Sequence, residues 1–260
     1  MESPPNADAT ESWISHHTPR PEARVRLFCL PHAGGGASLF RTWAPLVAPE
    51  VEVLPIQLPG RENRLREAPF TELPPLVERL VDVVRAWQDK PFALFGHSMG
   101  ALLSFELARA LRRHGLPGPT HLFLASYTAP QLLAQTPPKP RTHEADPEVV
   151  RAILTARGIP ETMGEELKQL VLPSLMADTA ICESYQYVEE VPLECPVFAF
   201  RGSEDYVQEH HLDAWRELTR GPFTARAFLG DHFFLRDTPR GLLQALRKTL
   251  ASAGGSARAA

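Results

Sequence analysis

The sequence predicts an α/β protein, a mainly parallel sheet flanked by helices on both faces, with a helical insertion late in the chain. Short runs that are apolar throughout recur along the chain, and helical patterns separate them. A strand apolar on both faces needs cover on both sides, which a parallel sheet with crossover helices supplies. One long stretch, about 131–191, breaks the alternation because it contains no good strand.

Taken in order, residues 25–30 (Val-Arg-Leu-Phe-Cys-Leu) read as a buried strand, followed by a Gly-rich turn and a helix near 40–46. Residues 51–56 form a second strand. Residues 73–87 carry Leu73, Leu76, Val77, Leu80, Val81 and Val84 at helical spacing. The short apolar run 92–95 is a strand, 99–113 a helix with few breakers, and 121–125 and 196–201 are strands. A weaker strand at 223–229 and a closing helix at 240–250 complete the pattern. The interrupting stretch opens with a Pro-rich loop, 136–141, and then shows helical patterns at 147–157 and 165–187. Pro173 is expected to kink or split the second, since a proline inside a helix removes a hydrogen bond and clashes with the preceding turn. Its apolar residues Leu167, Leu170, Val171, Leu175 and Met176 need something to cover, which favours a lid over the carboxyl edge of the sheet.

The organisation expected is a flexible extension over 1–22, in which Trp13 and Ile14 stand out as residues able to dock on the body. A single α/β domain over 23–251 follows, with the lid insertion at about 131–191, and a flexible tail over 252–260. The 260 residues suffice for a full sheet-and-helix core. A net charge of -4 leaves no basic footprint for nucleic acid. The three cysteines, Cys29, Cys182 and Cys195, have no paired spacing, so neither a disulfide framework nor a zinc site is expected. No apolar run approaches the ~20 residues of a membrane span, and the N-terminus lacks the pattern of a secretory signal. A cytoplasmic monomer without metal or organic cofactor is the expectation.

Chemistry concentrates in Gly96-His97-Ser98-Met99-Gly100. A G-x-S-x-G between an apolar strand and a long helix is the context of a nucleophile elbow. The turn is so tight that the flanking glycines must lack side chains, and Ser98 is lifted to a helix N-terminus, where free N–H groups favour developing negative charge. A serine needs a base. Of the ten histidines, His232 in Gly230-Asp231-His232-Phe233-Phe234 lies just after the last strand, where a chain order Ser, acid, His places it. The acid then comes from Gly202-Ser203-Glu204-Asp205-Tyr206, with Asp205 the better candidate and Glu204 its competitor. His97 is read as a packing residue, and His210-His211 lacks further ligands at metal spacing. The loop Pro31-His32-Ala33-Gly34-Gly35-Gly36 follows the first strand, and its glycines allow close approach of backbone to substrate. The oxyanion donors assigned are the backbone N–H groups of Met99 and Ala33. A nucleotide-binding reading of the same loop lacks both phosphate-loop patterns.

With these residues in view, the chain resembles the type II thioesterases that accompany polyketide synthases and nonribosomal peptide synthetases. The matching stretches are Leu30-Pro-His-Ala-Gly-Gly-Gly36, Gln57-Leu-Pro-Gly-Arg-Glu-Asn-Arg64, Gly96-His-Ser-Met-Gly-Ala101 with Phe105-Glu-Leu-Ala108, Gly202-Ser-Glu-Asp205 and Gly230-Asp-His-Phe-Phe-Leu235. The serine elbow is shared by the whole α/β-hydrolase superfamily, whereas the Gln-Leu-Pro-Gly-Arg-Glu block and the His-Phe-Phe-Leu ending are more particular. The resemblance implies an α/β-hydrolase fold and hydrolysis of acyl groups from the phosphopantetheine thiol of acyl or peptidyl carrier proteins. It puts the catalytic roles on Ser98, Asp205 and His232, with Met99 and Ala33 at the oxyanion hole. The rivals are a general carboxylesterase, a type I cyclising thioesterase, and a non-catalytic ligand-binding scaffold of the same fold. For docking an acidic carrier protein, Arg61, Arg64 and Arg66 are the basic candidates. The competing reading is that Arg61 and Arg64 pair internally with Glu62 or Glu67.

Overall fold

The computed structural model describes residues 12–133, 165–236 and 239–253. Strands β1 (Val25–Leu30), β2 (Val51–Pro55), β3 (Phe92–His97), β4 (Leu122–Ala125), β5 (Val197–Gly202) and β6 (Phe223–Phe228) form one sheet in the order β2-β1-β3-β4-β5-β6. Every neighbouring pair is parallel, as predicted. The helices are α1 (Ala44–Val47), α2 (Leu73–Arg85), α3 (Met99–Arg113), α4 (Pro130–Leu133), α5 (Glu165–Ser184), α6 (Glu209–Asp213) and α7 (Pro239–Ala253).

The apolar strands divide their side chains between two cores because successive residues point to opposite faces. In β1, Phe28 and Leu30 join the core under α2 and α3, while Val25, Leu27 and Cys29 join the core under α1 and α7. Leu94 and Phe95 of β3, and Leu122 and Phe123 of β4, divide in the same way. Only the edge strand β6 breaks the pattern, exposing Thr224 to Ala227, which is why it reads as the weakest strand in the sequence.

Boundaries differ in small ways with clear causes. The expected strand 92–95 continues through Gly96 and His97, because β4 pairs with it as far as His97. The helix expected near 40–46 resolves into a single 3-10 turn, Ala37–Phe40, and the short α1. Helix α5 is one helix with Pro173 inside it, so the expected split does not occur. Among its described side chains the buried ones lie beyond that proline, at Ser174, Leu175, Ala177, Asp178, Thr179 and Ile181. Leu170, expected on a covering face, is 48% exposed. The helical pattern at 147–157 and the Pro-rich loop at 136–141 lie outside the described residues.

Where the extension expected over 1–22 meets the described residues, it packs on the body. Trp13 is buried, Ile14 makes an antiparallel bridge to Ile56, and the Ser15 N–H donates to the Pro55 carbonyl at 3.1 Å. The Arg64 guanidinium lies 4.4 Å from the Trp13 ring centroid. Buried Glu52 accepts the Arg20 N–H at 3.0 Å and Arg26 Nε at 2.9 Å, and His17 Nε2 lies 3.0 Å from it. Burying a large apolar side chain is worth roughly 1.5–3 kcal/mol, enough to offset the ordering of one or two residues of backbone. Among the described residues no helix is long and apolar enough to cross a membrane.

Candidate active site

All strands run the same way, so the loops at their carboxyl ends gather on one edge of the sheet. That edge is where open α/β sheets bind ligands. The loops after β1, β3, β5 and β6 bring Ala33, Ser98, Asp205 and His232 there.

Ser98 ends β3 and begins α3 with φ 54 and ψ -118, a left-handed backbone that a non-glycine residue adopts only when its surroundings enforce it. They do so tightly. A Cβ at Gly96 would lie 2.0 Å from the Gly100 carbonyl oxygen, and one at Gly100 would lie 2.1 Å from that of Leu30. The Ser98 N–H is fixed by the Ala125 carbonyl at 2.8 Å. The first bonds of α3 run from Ala101 and Leu102 N–H to the Ser98 carbonyl, so the N–H groups of Met99 and Gly100 precede the ladder.

Asp205 and His232 come from adjacent loops stitched by backbone. Ser203 N–H donates to Phe228 O at 2.6 Å, and Glu204 N–H to Gly230 O at 2.9 Å. Gly202 lets the loops cross, since a Cβ there would stand 2.1 Å from the Asp231 carbonyl oxygen. His232 Nδ1 meets Asp205 Oδ1 at 3.0 Å, with the Asp205 side chain fully buried. Glu204 is exposed, so geometry selects Asp205 from the two carboxylates. Asp231 instead accepts the Phe233 N–H at 2.7 Å. Burial pushes the Asp205 carboxyl up, but the His232 hydrogen bond and charge outweigh it, with the Val207 N–H adding to them, and hold it below its ordinary value.

Three residues that the sequence did not assign to the site complete this half. His97 is buried and its Nε2 donates to the His232 carbonyl at 2.8 Å. Burial, with His32 and His232 nearby, pushes its pKa well below the ordinary value, which keeps it neutral. Ser126 Oγ donates to the same carbonyl at 3.2 Å. Tyr206 stacks on the His232 ring, centroids 4.6 Å apart, with its hydroxyl 3.4 Å from Nε2. Ser98 and His232 share the edge without a direct hydrogen bond between them. A tyrosine right after a predicted acid was the only sequence signal for this stacking.

The Gly-rich loop is braced differently. Gln57 Oε1 accepts the Ala37 N–H at 2.9 Å, and Glu62 Oε1 accepts Ser38 Oγ at 2.6 Å. Arg61 is not paired with Glu62 or Glu67 but makes a bidentate contact with buried Asp178 on α5, Nη2 to Oδ1 at 2.9 Å. Arg64 pairs with Glu67, at 2.7 Å from Nε to Oε1, and donates to the Gln57 carbonyl. Both arginines are buried, which removes them as docking candidates, while Arg66 is exposed. A cleft of about 560 Å³ opens between α5 and the start of α2, lined by Pro69, Glu72, Pro173, Met176 and Ala180 among others. No cluster of three or more potential metal ligands occurs among the described residues.

Residues 25–250 match the Thioesterase domain family. The chain is 40% identical over 242 residues to the gramicidin S biosynthesis protein GrsT of Aneurinibacillus migulanus, covering 92% of this chain and 93% of that one. It is 38% identical over 231 residues to the thioesterase PikA5 of Streptomyces venezuelae, covering 86% and 80% respectively. Among solved structures, the type II thioesterase BorB from the borrelidin biosynthetic cluster superposes with a TM-score of 0.81 at 36% identity, covering 92% of this chain and 97% of that one. The RedJ thioesterase from the prodiginine pathway of Streptomyces coelicolor gives 0.80 at 38%, covering 88% and 92%. With its parallel sheet, its elbow serine and this likeness along nearly the whole chain, the protein belongs to the Thioesterase domain family and has the α/β-hydrolase fold.

Proposed function

We propose that this chain is a type II, editing thioesterase that hydrolyses acyl groups from the phosphopantetheine thiol of carrier proteins in polyketide or nonribosomal peptide biosynthesis. The observation that carries the catalytic assignment is the 3.0 Å contact of His232 Nδ1 with buried Asp205, on the same edge as the strained Ser98. The substrate class is supported by the relatives, among them a type II thioesterase from a biosynthetic cluster.

Asp205 keeps the His232 proton on Nδ1, leaving Nε2 free to act as base. Nε2 takes the Ser98 proton as Oγ attacks the thioester carbonyl, and the oxyanion forms against the Met99 and Ala33 N–H groups. The carbon–sulfur bond breaks and the thiol leaves with the proton from His232. Water, deprotonated by the same nitrogen, attacks the acyl-serine, and the free acid departs as Ser98 recovers its proton. The Tyr206 hydroxyl, 3.4 Å from Nε2, must give way to Ser98 in this cycle. One chain carries every assigned residue, in keeping with a monomer, and the three cysteines, none of them in a disulfide, fit a reducing compartment such as the cytoplasm. Helix α5 and the cleft beside it are assigned to the lid that shapes the acyl chamber.

The test is kcat/KM on an acyl-carrier protein and on the matching acyl-pantetheine. A clear preference for the protein substrate is expected. Equal efficiency on both would overturn the carrier-protein reading while leaving the hydrolase intact.

A further inference from the structure

The loop after β1 turns back on itself at residues 32–35, where the His32 carbonyl accepts the Gly35 N–H at 2.9 Å. Gly34, third in this turn, has φ +74, the mark of a type II turn, whose central peptide is flipped relative to type I. That flip decides where the Ala33 carbonyl and the Gly34 N–H point, and both ends of the peptide are caught. His32 Nδ1 donates to the Ala33 carbonyl at 3.0 Å. The Gly34 N–H donates to Asp178 Oδ2 at 2.7 Å, across 144 residues of sequence.

Asp178 is itself fixed. It is 1% exposed, and Arg61 holds both of its oxygens, with Nη1 at 2.5 Å and Nη2 at 2.9 Å. Arg61 also donates to the Gly35 carbonyl at 3.2 Å, so the carboxylate and the guanidinium grip neighbouring peptides of one turn. Leu175, one helical turn before Asp178, fills the space where a Gly34 Cβ would stand, with its Cδ1 3.0 Å away. The turn lies against the elbow. The Leu30 and Pro31 carbonyls pack on Gly100, and the His32 ring meets that of His97 at 5.3 Å.

We propose that Asp178 is a positioning residue for the oxyanion hole: by holding the Gly34 N–H it fixes the 32–35 turn that presents the Ala33 N–H to the Ser98 acyl adduct. With the His32 carbonyl turned onto Gly35, the trans peptide aims the Ala33 N–H to the opposite side. Releasing Gly34 lets the central peptide rotate and the turn lose its shape. The hole is therefore assembled in part by α5, an element of the insertion, and not by the sheet edge alone. This inference rests on the assignment of Ser98 and Ala33 made above.

The test compares wild type, Asp178→Asn and the double variant Arg61→Met/Asp178→Leu. The last removes both buried charges together, so that no unpaired ion is left behind. Three quantities are read on an acyl-N-acetylcysteamine thioester and its trifluoromethyl ketone analogue: kcat against KM, affinity for the ketone, whose adduct places an oxyanion in the hole, and Tm. A positioning role predicts that Asp178→Asn lowers kcat and ketone affinity together, by up to the ~10²–10³-fold typical of a lost oxyanion donor, with KM little changed. The double variant regains Tm without regaining kcat. Activity that returns with Tm in the double variant, or ketone affinity unchanged in Asp178→Asn, overturns the proposal. Should the double variant not fold, the ketone affinity of Asp178→Asn decides alone. Fluorophosphonate labelling keeps the two readings separate. Wild type that fails to label at Ser98 overturns the nucleophile assignment and this inference with it, whereas Asp178 variants labelled at the wild-type rate overturn the positioning role only.

Discussion

The two halves of the proposed active site are held in place by different means. Asp205 and His232 sit on loops after neighbouring strands, joined by backbone bonds such as Glu204 N–H to Gly230 O at 2.9 Å. The Gly-rich loop is held by side chains from elsewhere: Gln57 and Glu62 from the segment after β2, and Asp178 from α5. The first arrangement follows from sheet topology. The second exists only once three distant segments have packed, so it is the half more open to perturbation from outside the sheet.

The sharpest break concerns the chemistry itself. Ser98→Ala is expected to fold normally and to lose hydrolysis by several orders of magnitude, since without a triad member only ~10³–10⁴-fold catalysis over water remains. Purified Ser98→Ala turning over thioester at near the wild-type rate would remove the shared premise of both halves. Within the strand-borne half, Asp205→Asn should cost about 10⁴-fold in kcat by favouring the wrong His232 tautomer, with Glu204→Gln nearly silent. The reverse ranking would mean that the geometry had selected the wrong carboxylate.

For the side-chain-borne half, Gln57→Leu leaves the buried Ala37 N–H without its acceptor. Destabilisation by roughly 1–3 kcal/mol in urea unfolding is expected, together with a loss in kcat larger than any rise in KM. A variant as stable and active as wild type would show that the brace is dispensable.

His97 sharpens the comparison through pH. Its folded pKa lies well below the ordinary 6.5, so below that pH the unfolded chain takes up a proton that the folded chain refuses. Stability therefore falls as pH drops from neutral through this range. Asp205, held low in the folded state, adds its own loss only at more acid pH, near and below its ordinary 3.8. His97→Asn should flatten the slope of unfolding free energy between pH 7 and pH 5. An unchanged slope would assign it to other groups. The smallest effect belongs to Arg66→Ala, a loss of a few-fold in kcat/KM on carrier protein at low salt, absent on acyl-pantetheine and screened away as salt rises. Equal losses on both substrates would end its docking role.

The strand-borne half was legible in the sequence because its information is local. An apolar run, a glycine and a short loop at a known place in the alternation locate Ser98, Asp205 and His232. The brace was not. Arg61 was read either as a docking residue or as a partner of Glu62 or Glu67, neighbours in sequence, yet its partner Asp178 lies 117 residues away on a helix whose apolar phase Pro173 obscures. Arg64 did pair locally, with Glu67 three residues on. Leu170 was expected on a covering face, yet among the described side chains of this helix the buried ones lie beyond the proline. The bond from His97 to the His232 carbonyl could not be read either, because a backbone acceptor leaves no mark in the sequence.

The docked N-terminal segment bears on how this protein behaves when cut or tagged. In a parallel sheet the outer strands carry unpaired backbone groups that invite edge-to-edge aggregation. On the β2 side, Ser15 N–H occupies the Pro55 carbonyl and Ile14 bridges Ile56, so the chain caps its own rim. On the opposite rim, Thr224 and Arg226 put polar and charged side chains on β6. A version starting after residue 22 would uncover the first rim, along with the apolar slot left by Trp13. Its expected defects are self-association at high concentration, seen as a rising sedimentation coefficient, and a looser brace on the Gly-rich loop, because the Gln57 N–H loses the Trp13 carbonyl.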